Sequence, residues 1–213
     1  MIDPSRLRRA YQTVRDALLA ERTPRGHWIG ELSSSALSTA TAIAALAVTG
    51  REPALVDRGI AWLVAHQNPD GGWGDTTRSF SNISTTMLCR AAFHLCGRTR
   101  EAAETLARCE AWLGERYGRT PTELAEAVRR RYGKARTFAV PILTMGALAG
   151  LVDWREVPRL PFELACLPQS WYRFVRLPVV SYALPALIAI GQCIHHHRGG
   201  WNPLTRLTRR LGR

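Results

Sequence analysis

Of the 29 basic residues in this 213-residue chain only Lys134 is a lysine, and acids are scarce too: 17 aspartates and glutamates leave a formal charge of +12. Such a surface attracts polyanions, nucleic acid or an anionic membrane, without choosing between them. Aromatics are few, 8% of residues, and the acid-free tail "RGGWNPLTRLTRRLGR" offers only Trp201. Single-strand nucleic-acid recognition calls for aromatics interleaved with the basic residues, so that function is disfavoured. Cys89, Cys96, Cys109, Cys166 and Cys193 are odd in number and contain no C-x-x-C pair, which argues against a disulfide framework and a zinc ribbon. No two aspartates stand even one residue apart, so no acid cluster is available to hold magnesium diphosphate, and no cofactor is expected.

Long apolar runs are equally rare. Leu177 to Ile194 is uncharged for 18 residues, but Pro178, Ser181, Pro185 and Gln192 favour a buried or shallowly inserted helix over a membrane span. The N-terminus "MIDPSRLRRAYQTVRD" is polar where an export signal would be apolar, and a cytoplasmic location is expected. His195-His196-His197 point in different directions on a helix and have no acid or cysteine close by in sequence, so a solvated helix end is preferred to a metal site.

What remains is helical. No stretch alternates β-branched residues, while Gly and Pro punctuate long helix-forming segments, giving an all-α class. A first helix is expected over Ala10 to Glu21. Ser33 to Ser35 can cap "ALSTATAIAALAVTG", whose nearly all-apolar composition predicts burial on most sides, and Gly50 ends it. A helix carrying Leu55, Ile60, Trp62 and Leu63 ends near Gln67, and Asn82 or Ser84 can cap the next, closed by Gly97. Trp28 recurs as Trp73, Ser38-Thr39 as Ser84-Thr85 and Gly50 as Gly97, at offsets of 45, 46 and 47 residues. A weaker third copy echoes Trp62-Leu63 as Trp112-Leu113. Helix pairs repeating at this length bury their faces against their neighbours. The regular pattern occupies 1–133. Residues 134–213, with "TFAVPILTMGALAG" and a proline-rich crossing, have the composition of a cavity wall or membrane-facing surface and a basic tail, all within one domain.

The stretch "RGIAWLVAHQNPDGGWGD" carries the third of these helices into the turn that leads to the fourth. Pro69-Asp70-Gly71-Gly72 reads as a chain reversal, with Gln67 bonding at the helix end and Trp73 packing the turn down. Asp70 and Asp75 lack the paired acid that would raise one pKa and make a proton donor.

Arg58, Gly59, Trp62, Leu63, Gln67, Gly71 and Trp73 fill every position of the QW repeat, and here the chain resembles the squalene-hopene and related class II terpene cyclases. "GHWIGELSSSALSTAT", "NISTTMLCRAAFHLCG", "WREVPRLPFELACLP" and "SWYRFVRLPVVSYALPAL" are similar to further segments of the N-terminal half of these enzymes. The resemblance implies an α/α barrel (toroid) of paired antiparallel helices, whole or incomplete, in which Gln and Trp clasp helix ends. Two departures stand out: Arg22 occupies the Gln position of the first copy, and the third copy has Tyr117 and no G-x-W.

The family protonates squalene with a D-x-D-D motif in its other half, and this sequence has none. By position, Pro141, Met145, Trp171, Leu177 and Tyr182 are candidates for the substrate-cavity wall. The expectation is therefore an N-terminal-half module that cyclises nothing alone, whose partners are a complementary half carrying the acid, a squalene-like isoprenoid and the inner face of an anionic membrane. The alternative is a non-catalytic isoprenoid-binding or partner-docking module.

Overall fold

The computed structural model describes residues 3–30, 32–133, 136–160, 162, 170–171 and 184–199. Among them are eight α-helices and no strand: α1 (Pro4–Ala20), α2 (Ala36–Thr49), α3 (Pro53–Ala65), α4 (Ile83–Leu95), α5 (Ala103–Arg116), α6 (Pro121–Tyr132), α7 (Arg136–Leu148) and α8 (Leu184–Arg198). The all-α, paired-helix class is thus the one observed. The chain divides into two compact units, residues 1–34 and 35–213, whereas the change of sequence character at Gly133 coincides with the passage from α6 to α7.

In the first unit α1 begins at Pro4, earlier than the expected Ala10, because the Asp3 side chain accepts from Ser5 N and proline suits the first turn of a helix. No residue of α1 is buried.

The second unit is organised around α4, which packs against α2, α5, α6 and α7, while α3 lies on α2 and α6 on α7. Ser35 caps α2 and Gly50, at φ 63°, closes it. Contrary to the expectation of burial on most sides, α2 buries one face only, Ala36, Ala40, Ile43 and Ala44, and leaves Val48 exposed. Alanine explains this: its small apolar area costs little in water, and against a neighbour it permits close approach. Cys89 on α4 accordingly reaches the Ala36 carbonyl. It is α4 that is enclosed, with Ser84, Thr85 and Thr86 among its buried residues. Asn82 caps it through Thr85 N. After α5 the chain passes Gly118 directly into the Thr120–Glu123 capping box of α6.

The segment after α7 is anchored from both sides. Arg129 of α6 donates to the carbonyl and the carboxylate of Glu156, each at 2.8 Å, Arg198 of α8 donates to the Val157 carbonyl, and the Trp154 ring stacks on His197 at 4.1 Å.

Candidate functional site

The most heavily bonded turn among the described residues is the one between α3 and α4. Trp73 is fully buried. Its Nε1 donates to the Leu63 carbonyl at the end of α3 (2.9 Å), its backbone N–H donates to Thr86 Oγ1 (3.0 Å), and its carbonyl accepts from Asn82 N (3.0 Å). One residue, through its ring and its backbone, therefore joins the end of one helix to the start of the next. Gln67 Nε2 donates to the Gly71 carbonyl (2.7 Å) and to the Thr105 carbonyl on α5 (2.9 Å). Both acceptors are carbonyls, which fixes the orientation of the amide. From α5, Arg108 donates to the carbonyls of Asn68 and Pro69, and Trp112 Nε1 donates to Asp70 Oδ2 at 2.8 Å. Thr105, Arg108 and Trp112 stand at i, i+3 and i+7, one face of a helix, so the whole turn seats on α5.

Two glycines permit close approach around this turn. A Cβ on Gly71, whose φ is +93°, would lie 2.6 Å from the Arg108 carbonyl oxygen. A Cβ on Gly59 would meet Ile43 Cγ1 at 2.8 Å, so α3 approaches α2 only because position 59 is bare. Of the neighbouring motif residues, Leu63 is buried, Trp62 is half-buried and stacks on His66 at 4.0 Å, and Arg58 is exposed.

The two carboxylates of the turn are both shifted toward the ionised form. Burial pushes the Asp70 carboxyl up, but hydrogen bonds from Ser81, Gly72 N and Trp112, with Arg116 nearby, bring it below the ordinary aspartate range. At Asp75 the hydrogen bonds from Thr85 and Asn82 dominate over burial and lower the pKa. Both shifts favour the charged form, and both carboxylates are engaged in hydrogen bonds that hold the turn. A pH dependence follows. With the folded pKa of Asp75 below its unfolded value of 3.8, the stabilisation is complete above that value and is lost as pH falls through the folded pKa. Asp75→Asn should lower the urea midpoint at neutral pH and narrow its difference from wild type as pH falls below about 4, measured by denaturation at stepped pH.

The first copy closes by the same geometry despite its substitution. Trp28 Nε1 donates to the Leu18 carbonyl, ten residues back, as Trp73 does to Leu63, and Arg22 Nε donates to the Gly26 carbonyl at 2.9 Å, as Gln67 does to Gly71. Gly26 has φ 85° beside 93° at Gly71. The Arg22 guanidinium lies 5.6 Å from the Trp28 ring centroid. An arginine N–H thus performs the bond made by the amide N–H. In the third copy Tyr117 packs against Trp112 at 5.5 Å.

The residues proposed for a cavity wall are not brought together among the described residues. Pro141, half-buried within α7, and Met145, buried, share one face at i and i+4. Phe138 and Leu148 continue that face and are 63% and 42% exposed; the sequence signal for them, an apolar residue at i−3 and i+7 from Pro141, was available. Trp171 is 61% exposed. Leu177 and Tyr182 lie outside the described residues, as do Cys166 and the basic tail from Trp201. Cys89, Cys96, Cys109 and Cys193 are free thiols, and burial pushes Cys109 up to about 12. No helix among the described residues is long and apolar enough to cross a membrane.

Residues 11–197 match the family described as the squalene-hopene cyclase N-terminal domain. The probable squalene–hopene cyclase of Sinorhizobium fredii is 29% identical over 184 residues, 85% of this chain and 25% of that protein. The squalene hopane cyclase of Aspergillus fumigatus is 29% identical over 178 residues, 81% of this chain and 21% of its own length. The alpha-onocerin synthase of Lycopodium clavatum is 26% identical over 176 residues, 74% of this chain and 21% of its own. No solved structure matches. The chain therefore spans a quarter or less of these relatives, and by its match over most of its length it belongs to the squalene-hopene cyclase N-terminal domain family.

Proposed function

We propose that this chain is the N-terminal-half module of a squalene-hopene-type terpene cyclase in isoprenoid biosynthesis. It shapes an apolar cavity wall and docks on an anionic membrane face, while a complementary half, in the same longer polypeptide or a separate subunit, supplies the D-x-D-D acid. The observation that carries this reading is the turn at 67–75. It has the QW pattern, it ties three helices, and its two carboxylates are taken up in the hydrogen bonds of the turn. On α7 the exposed Phe138 and Leu148, with half-buried Pro141 between them, supply the kind of surface a squalene-like hydrocarbon would line against.

The test is an assay with squalene in detergent, using the chain alone and the chain mixed with a D-x-D-D-bearing half of a squalene-hopene cyclase. Cyclised product is expected only from the mixture. Product from the chain alone would contradict the proposal, and squalene binding without product in both arms would favour a non-catalytic isoprenoid-binding module.

A further inference from the structure

Where α4, α5 and the start of α6 meet, a cleft of about 250 Å³ opens between Arg90 of α4, Glu110 of α5, Arg119 of the connecting turn and Leu124 of α6. The Arg90 side chain is only 16% exposed. Its Nε and Nη2 both donate to one oxygen of Glu110, Oε1, at 3.0 and 2.8 Å. The third nitrogen, Nη1, makes no hydrogen bond among the described residues and is not sealed from solvent. A largely buried guanidinium thus keeps one pair of N–H donors unused at the wall of a cleft.

Arg119 brings a second guanidinium to the same cleft. Its stem lies over Gly114, where a built Cβ would sit 3.1 Å from Arg119 Cγ, so the bare glycine lets the side chain lie along α5. Arg119 donates to Glu123 through its backbone N–H, but its side chain forms no ion pair among the described residues. The lining therefore sets two positive charges against the single carboxylate of Glu110. Glu123, the acid next to the turn, is already taken up: its Oε2 accepts from Arg119 N, Thr120 N and Thr120 Oγ1. His94, one turn along α4 from Arg90, has its pKa lowered by burial and then by Arg90, so it adds no charge at neutral pH.

An unused N–H of a guanidinium drawn out of water is a strong donor to an ionised oxygen. The second guanidinium on the same cleft recruits negative charge to it. Drug-sized pockets run to about 300–1,000 Å³, so this one is sized for a small ion or metabolite. Leu113 and Leu124 are 2% and 4% exposed and offer little apolar area. Recognition therefore falls to the charged groups.

We propose that this cleft binds a small oxyanion, a carboxylate or phosphate group, between Arg90 Nη1 and the Arg119 guanidinium, with Glu110 as a built-in competitor that limits its affinity. The site is separate from the turn at 67–75 and does not depend on the cyclase-half reading.

The experiment is calorimetric titration of the full chain with inorganic phosphate and, separately, with acetate, in chloride buffer at pH 7.5 and constant ionic strength, on wild type, R119Q, E110Q and R130Q. Arg130 is exposed near the end of α6 and does not line the cleft, so R130Q reports the general attraction of a basic surface. Saturable binding is expected for wild type, and the anion that binds more tightly distinguishes a phosphate site from a carboxylate site. R119Q should weaken it about tenfold, the worth of one hydrogen bond to a charged group, with thermal unfolding unchanged. E110Q frees Arg90 and should tighten binding, while R130Q should match wild type. If E110Q does not fold, the contrast between R119Q and R130Q decides. No binding by wild type, or the same loss in R130Q as in R119Q, would overturn the proposal. Weaker binding by a folded E110Q would overturn it as well, because Glu110 would then not be a competitor.

Discussion

Trp73→Ala should cost about 3–5 kcal/mol of unfolding free energy, the range for emptying a buried tryptophan site, and so a large part of the total of about 5–15 kcal/mol that holds a domain together. The size follows from position. The ring is fully buried, packs at 6.1 Å from Phe93, and its Nε1 closes the end of α3. Trp73→Phe separates the two contributions. It keeps much of the apolar volume and removes the donor to Leu63, so it should cost about 1–3 kcal/mol from the unpaired carbonyl. Urea denaturation followed by circular dichroism reads both. A Trp73→Ala variant as stable as wild type would mean that the turn is not a clasp.

The second large effect is expected at Gly71. Replacement by alanine forces a side chain into a left-handed conformation at φ +93° and drives its Cβ to 2.6 Å from the Arg108 carbonyl, a backbone atom that cannot swing away. Gly97, at φ +71° with nothing within 4 Å of a built Cβ, provides the control. Gly97→Ala should cost about 1–2 kcal/mol, the conformational cost alone. Gly71→Ala should exceed it by at least about 1 kcal/mol, because the clash adds overpacking. Equal losses at the two positions, measured in the same urea series, would show that the seat of the turn on α5 is looser than the geometry requires.

These two residues also show what a sequence can disclose. Trp73, Gly71 and Gln67 are legible because their spacing is diagnostic: a glycine that needs positive φ and a tryptophan that must find a carbonyl leave a pattern in one dimension. Their partners are not. Thr105, Arg108 and Trp112 lie about forty residues away in sequence, and the bonds from Gln67 and Arg108 end on backbone carbonyls, which carry no residue identity. Arg22 misled for a related reason. At the level of residue type it is a departure, yet its N–H reaches the Gly26 carbonyl as an amide N–H would, so the first turn closes by chemistry that the letter conceals. The expectation for α2 went wrong because alanine counts as apolar in a pattern but carries too little area to demand burial, whereas α4, with its serine and threonines, was enclosed because Asp75, Trp73 and Tyr132 satisfy those hydroxyls.

The charge distribution follows the same logic. Several arginines that look in sequence like a solvated basic face are engaged in the structure. Arg129 holds Glu156, Arg198 holds the Val157 carbonyl, and the Arg131 guanidinium lies 6.0 Å from the Tyr132 ring. The net excess of +12 therefore overstates the charge free to meet a polyanion in the second unit. In α1, by contrast, Arg6, Arg8 and Arg9 form no ion pair among the described residues.

The central claim is that this scaffold works with a second half that carries the acid. Native mass spectrometry of the protein isolated gently, in mild detergent, from its own cells tests it most directly. The account predicts that the chain appears with a D-x-D-D-bearing partner, or as the N-terminal part of a longer polypeptide with that motif. Recovery of the chain alone, at the 23.7 kDa mass of its 213 residues, would contradict it.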